Sequence, residues 1–335
     1  MRVCVLTTSY PRTPDDVAGI FVADAVKHLR EAGVDVDVVS PADFRHFGIA
    51  FGDGIVQNLR AKPWLVLALP AFLLNFARAS RQAAAGADVV HAHWLPSAIA
   101  ARATRKPFVL QLWGTDVAIA RRVPWLARPL LRRARLVLAA SPFLAEAGLQ
   151  LGAREVRVVS NGVELPRAVA APADPAHVLF VGRLSEEKGI LEFLEATDGL
   201  PRVVVGDGPL RARVPDAVGF VAPELLGRYY EASAVVCVPS RREGYGVVAR
   251  EAMAYGRPVV ATAVGGLVDA VEDGVTGVLV QPRELRPAIE RLLRDARLRA
   301  ELGAGARRKA EADYSWAAAI ESLLVAYEDA SRRTM

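Results

Sequence analysis

Short apolar runs rich in valine alternate with longer amphipathic stretches through most of the chain. Residues 2–6 read as a strand, 19–32 as an amphipathic helix and 34–40 as a strand again. Further strands are expected at 89–92, 108–112 and 136–140, with a helix over 97–103. A Pro/Ala-rich connection without periodicity covers 161–175, and the pattern then restarts. Strands are expected at 178–182, 202–206, 235–239, 258–262 and 277–280, with helices over 190–196, from the 243–251 segment to about Tyr255, and over 267–272. Continuous apolar strands alternating with helices imply parallel sheets covered on both faces. The fold class is therefore α/β, with two Rossmann-like units joined near residue 165.

Composition supports this organisation. At 335 residues the chain exceeds one ordinary core, and 52% hydrophobic with 24% charged residues excludes a disordered chain. No uninterrupted apolar run reaches spanning length, so no transmembrane helix is expected. The opening residues read as a strand and not as a signal peptide. Cys4 and Cys237 lie in apolar strands and read as buried thiols, so a cytoplasmic location is expected. Charge is uneven: residues 1–165 carry 20 Lys and Arg against 13 Asp and Glu, and residues 166–335 carry 22 against 24. The first half is suited to something anionic. Nucleic acid is not the expected partner, because no binding motif appears and the cations do not alternate with aromatic platforms.

The candidate chemistry concentrates in the second half. Glu243 and Glu251 flank Gly244 and Gly246 on a loop that opens a helix. One carboxylate can face a small polyol and the other a ribose diol, while backbone amides at the helix start take phosphate charge. Upstream, Arg183 and Lys188 lie on a strand-to-helix loop and can converge on a diphosphate. The turn Gly206-Asp-Gly208-Pro209 lacks the third glycine of a dinucleotide fingerprint and reads as a cleft wall. Gly219-Phe-Val221 could pair its backbone with a base edge, and Gly265-Gly266 lets the backbone approach a ligand. His91 and His93 could suggest a metal, but no third ligand stands nearby in sequence, so none is expected.

Taken in order, Gly182-Arg183 with Lys188, Gly206–Pro209, Pro239-Ser240, Glu243 with Glu251, Gly256-Arg-Pro258, Val264-Gly-Gly266 and Thr276-Gly277 resemble the donor domain of the family 4 retaining glycosyltransferases. That resemblance implies the GT-B architecture, two Rossmann-like domains facing across a cleft: residues 1–164 on the acceptor side, 165–314 binding a nucleotide-sugar donor, and 315–335 as a terminal helix crossing back. It further implies that Arg183 and Lys188 bind the donor diphosphate and that Glu251 holds the ribose. Glu243 would hold the transferred sugar, with backbone amides from Gly246 and Val247. Val221, Gly265 and Gly266 would complete the donor site. In the first half, Tyr10-Pro11 and Ala18-Gly19 resemble the family's N-terminal loop, in which Gly19 approaches the diphosphate. His91-Ala-His93 resembles its strand-end histidine motif. Family members commonly place His where this chain has Trp113, in Trp113-Gly-Thr-Asp116. Trp113 would then stack on the sugar, or His93 or Asp116 would supply the polar contact.

No Asp-x-Asp pair is placed to hold a cation on the diphosphate, so a metal-independent transfer with retention at the anomeric carbon is expected, to an acceptor hydroxyl that the residues do not name. The alternatives are an epimerase or hydrolase of nucleotide sugars, or a non-catalytic sugar-nucleotide-binding protein. The apolar stretch 64–76 flanked by Arg60, Lys62, Arg78 and Arg81, and the basic stretch 121–135 around Trp125, suit peripheral contact with an anionic membrane. Both are equally compatible with helices packed on the first sheet whose arginines snorkel to water.

Overall fold

The computed structural model describes residues 1–332 apart from 14, 15, 17 and 51–53. It divides into two compact units, one of Met1–Asn161 with Ala319–Met335 and one of Gly162–Ala318. The first contains a six-stranded sheet of β1 (Arg2–Leu6), β2 (Asp35–Val39), β3 (Val89–His93), β4 (Phe108–Leu112), β5 (Leu136–Ala139) and β6 (Val156–Val158), in the order β2-β1-β3-β4-β5-β6. The second contains β7 (Val178–Val181), β8 (Arg202–Val205), β9 (Val235–Val238), β10 (Val259–Thr262) and β11 (Gly277–Val280), in the order β11-β10-β9-β7-β8. Every pairing is parallel.

The strands β3, β4, β5, β9 and β10 are buried along their whole length, so β5 and β9 read as unbroken apolar runs, while β3 carries His91 and His93, β4 Gln111 and β10 Thr262. Helices on both faces of the second sheet close its two cores. One is built around Leu179, Val236, Met253 and Leu267, the other around Phe180, Ile190, Phe193 and Leu292. Cys4 and Cys237 are both buried and unpaired.

Each sheet reverses its strand order once, between β1 and β3 in the first unit and between β7 and β9 in the second. In open parallel sheets, the crevice beyond the strand ends at such a reversal is where ligands bind. The loops leaving β7 and β9 carry Arg183, Lys188 and Glu243, and those leaving β1 and β3 lead to Gly19 and from His93 to Trp94.

Two features depart from the sequence expectation. The strand β6 was not foreseen; it is short and only half-covered. More consequentially, the helical stretch Pro63–Gly86 is long and apolar enough to cross a membrane by length and composition, although arginines interrupt it. Phe72, Phe76 and Ser80 of this stretch are buried within the first unit, while Trp64, Val66, Leu67 and Leu74 are exposed. Its buried side meets a small aromatic cluster in which Phe44 stacks on Phe76.

Candidate active site

In the second unit, Gly182 and Arg183 follow β7, and a short turn over Glu186–Lys188 leads into the helix Ile190–Ala196. The Gly206-Asp207-Gly208 turn packs directly on this loop. A Cβ at Gly206 would overlap the carbonyl oxygen of Gly182, and the Leu184 amide donates to Asp207 O at 2.9 Å. The two loops are thus packed backbone against backbone. Gly206 also donates to Gly219 O at 2.8 Å, which brings the segment carrying Val221 beside the same turn. Val221 itself is half-buried against the core.

The geometry joins Lys188 and Glu243. Lys188 Nζ lies 2.7 Å from Glu243 Oε2, and Ser240 Oγ approaches the same oxygen at 3.4 Å. An ammonium has three donors, so one spent on Glu243 leaves two. Arg183 is exposed and makes no ion pair among the described residues.

Glu243 is held from its backbone as well. Its carbonyl accepts from Gly266 N at 2.9 Å, and a side chain at Gly266 would overlap the Gly244 carbonyl. The paired glycines therefore serve a close approach of two loops. Gly265 carries φ 49° and ψ −133° at the start of the helix Gly266–Ala270. Gly246, at φ 78°, is the left-handed residue that starts the helix Val247–Ala254, whose first amides have no intrahelical acceptor and no side-chain cap. Glu251 lies in this helix and accepts from Tyr230 Oη at 2.6 Å.

In the first unit, the buried rings of His91 and His93 sit 4.1 Å apart, centroid to centroid. Burial drives both imidazoles down, His91 to about 3 and His93 well below its usual range. Trp113 Nε1 donates to His93 Nδ1 at 3.1 Å, and the two rings lie nearly parallel, at 11°. An indole N–H can only donate, so His93 is neutral with its proton on Nε2. His91 Nδ1 meets Tyr327 Oη, from the last helix, at 2.7 Å.

Asp116 is buried at the start of the helix Thr115–Arg122. Its Oδ1 accepts from the amides of Trp113, Gly114 and Val117, while Oδ2 is buried without a partner. Desolvation raises its pKa to about 6 despite those three amides. Asp116 thus fixes the Trp113 loop and keeps one oxygen unspent. Phe21 and Trp94 pack around Trp113, with Trp94 at the strained φ of 64°. Gly19 caps the helix Ile20–Glu31 and is pressed against the backbone of Ser9, so the fold alone already demands a glycine there. Among the described residues, no group of three or more His, Cys, Asp or Glu could hold a metal ion.

Residues 175–295 match the family described as Glycosyl transferases group 1, and residues 18–167 match Glycosyltransferase Family 4. A D-inositol 3-phosphate glycosyltransferase of Acidothermus cellulolyticus is 33% identical over 94% of this chain and 86% of its own. The chain belongs to glycosyltransferase family 4. The fold agrees: sucrose-phosphate synthase from Thermosynechococcus elongatus superposes with a TM-score of 0.83 at 24% identity, covering 99% of this chain and 100% of that one. Anabaena HepE in complex with UDP-glucose gives 0.72 at 23% identity over 98% and 99% of the two chains.

Sequence reasoning gave no role of their own to three residues of this family 4 glycosyltransferase. Arg250 is 1% exposed, its guanidinium 3.8 Å from the Tyr245 ring centroid and 4.6 Å from that of Tyr314, and it donates to the Tyr245 carbonyl. It pins the glycine loop from beneath. Tyr230, buried and stacked on Tyr255, holds Glu251. Arg257 in turn donates from Nε to the Tyr230 carbonyl at 3.0 Å and so supports that tyrosine.

Proposed function

We propose that this glycosyltransferase transfers a sugar from a nucleoside-diphosphate sugar to an acceptor hydroxyl, with retention at the anomeric carbon and without a metal. The observation that carries the reading is the meeting of Lys188 and Glu243 at the strand-order reversal of the second sheet, beside the amides that begin the helix Val247–Ala254. A cation, a sugar-facing carboxylate and unspent amides within one crevice suit a glycosyl diphosphate. Arg183, Lys188 and the Gly246–Val247 backbone would take the charge that develops on the leaving diphosphate. Glu251, oriented by Tyr230, would accept from the ribose hydroxyls, and Glu243 from those of the sugar. In the transfer, the bond from the anomeric carbon to the phosphate oxygen breaks. The acceptor oxygen adds on the same face, and its proton passes to the departing phosphate.

The name of the Acidothermus relative makes a phosphorylated polyol, D-inositol 3-phosphate, the first acceptor to try, and the UDP-glucose complex of HepE makes UDP-sugars the first donors. The exposed Trp64, Val66 and Leu67, with Arg60 and Lys62 beside them, support a peripheral contact of the first unit with an anionic membrane from the cytoplasmic side.

A thermal-shift series with UDP, GDP and ADP and their sugar conjugates, with and without EDTA, tests the donor. One nucleotide should stabilise the protein by mass action equally in both conditions. An EDTA-sensitive shift would refute the metal-independent reading, and a shift that survives Arg183→Ala combined with Lys188→Ala would refute the diphosphate assignment. Proton NMR of the product with D-inositol 3-phosphate reads the anomeric configuration directly, and inversion would refute retention.

A further inference from the structure

Away from both strand-order reversals, the first unit carries an open cleft of about 870 Å³ lined by Trp125, Arg128, Pro129, Arg132, Arg133 and Arg154, among others. The helix Pro124–Arg133 forms one wall. Ala127, Leu130 and Leu131 face the core, while Trp125 is 75% exposed and the arginines lie on the outer side. None of these four arginines forms an ion pair or a hydrogen bond to a carboxylate among the described residues. Elsewhere arginines of this chain are commonly neutralised, as Arg241 is by Glu192, Arg286 by Glu290 and Arg307 by Glu311. The sequence itself withholds partners, for no Asp or Glu occurs between Asp116 and Glu146.

Such a cluster opposes folding slightly, because like charges one turn apart on a helix, as Arg128 and Arg132 are, repel. Guanidinium groups present planar forks that match phosphate oxygens two at a time. Four unneutralised cations call for more charge than one carboxylate carries, and a terminal phosphate or diphosphate supplies it. The indole of Trp125 offers an apolar face beside that charge.

We propose that this cleft is a binding site for a phosphoryl group, separate from the donor site and carried either by a lipid headgroup or by a soluble phosphate. The probe is inorganic pyrophosphate, titrated by calorimetry at about 0.15 M ionic strength, where the Debye length is about 8 Å. Pyrophosphate also suits the proposed donor site, so the titration is made in an Arg183→Ala/Lys188→Ala background, where the failure of either assignment is read separately. Saturable binding should persist there and weaken at least about tenfold on adding Arg128→Ala/Arg132→Ala/Arg133→Ala, the scale of lost charge-assisted hydrogen bonds. The charge-matched Arg213→Ala/Arg283→Ala/Arg291→Ala, exposed cations of the second unit, should change it by no more than about twofold. Equal losses in the two triples, or no saturable binding in the background, would overturn the proposal. The single reversal Arg132→Glu serves if the cleft triple does not fold, with the same expected loss.

Vesicles identify the source of the phosphate. A preference for phosphatidic acid over phosphatidylglycerol that disappears in the cleft triple assigns a lipid headgroup. No preference, or one the triple retains, leaves the pyrophosphate result to assign a soluble phosphate.

Discussion

Replacing Lys188 by alanine should separate catalysis from stability. The ammonium sits 2.7 Å from Glu243 Oε2, a gross attraction of about 6 kcal/mol at an effective dielectric near 20. The Lys188 side chain is 37% exposed and that of Glu243 14%, so hydration returns most of that energy when the pair breaks. The net loss of stability should be about 1 kcal/mol, a shift in Tm of roughly 2 °C for a chain of this size. If Lys188 instead meets charge that grows on a leaving phosphate, its removal should lower kcat by about 100- to 1,000-fold, or roughly 2.7–4 kcal/mol. The assay pairs thermal unfolding with initial rates at saturating donor, for Lys188→Ala, Glu243→Ala and the double variant. Folding energies should couple by no more than about 1 kcal/mol. The losses in kcat should be far from additive, because the two side chains act as one unit. A kcat within about fivefold of the parent, or a stability loss near 4 kcal/mol, would refute the argument by showing that the pair is structural.

Other expectations follow from neighbouring contacts. Tyr230→Phe removes the hydroxyl at 2.6 Å from Glu251 and should raise the donor KM about tenfold with little change in kcat, measured by steady-state kinetics. Arg250→Leu should destabilise by about 3 kcal/mol or more in chemical denaturation, since Tyr245, Gly246 and Tyr314 all lose their partner. Burial raises the folded Asp116 carboxyl from its ordinary value of 3.8 to about 6, so its contribution to stability is fully present below pH 4 and is lost as pH rises through 6. Asp116→Asn keeps the Oδ1 acceptor, and unfolding measured across pH 4–7 should lose a pH-dependent component on the order of 3 kcal/mol. His91 and His93, driven down by burial, act in the opposite sense: stability should fall as pH drops below 6.5, and His91→Gln should flatten that decline.

Much of the fold was legible because buried parallel strands cannot hide their composition. Runs such as Leu136–Ala139 and Val235–Val238 admit no polar residue on either face. The glycine turns were legible too, as punctuation between strand and helix, although the backbone contacts they make were not. At Gly19, Gly206 and Gly266 the close approach is made by the protein's own backbone. Contacts between residues far apart in sequence left no local mark. Nothing near Trp113 announces that its indole bonds His93, and nothing near His91 announces Tyr327. Arg250 was passed over because a helical arginine ordinarily faces water, and only the rings of Tyr245 and Tyr314 reveal it as a buried pin. The stretch Pro63–Gly86 shows the opposite limit: its arginines hide its length as an apolar element until the helix is seen whole.

The order in which this chain leaves the ribosome gives the last helix a further meaning. Leu323, Ala326, Tyr327 and Ala330 are buried in the unit that begins at Met1, and Tyr327 supplies the hydroxyl that meets His91. Nascent domains usually complete themselves in order of synthesis. Here the unit begun first must wait for the final residues, while Gly162–Ala318 has all of its sequence earlier. A released chain truncated after Ala318 should therefore resist protease over its second unit and be cut within its first, and equal protection of both would contradict this order of maturation.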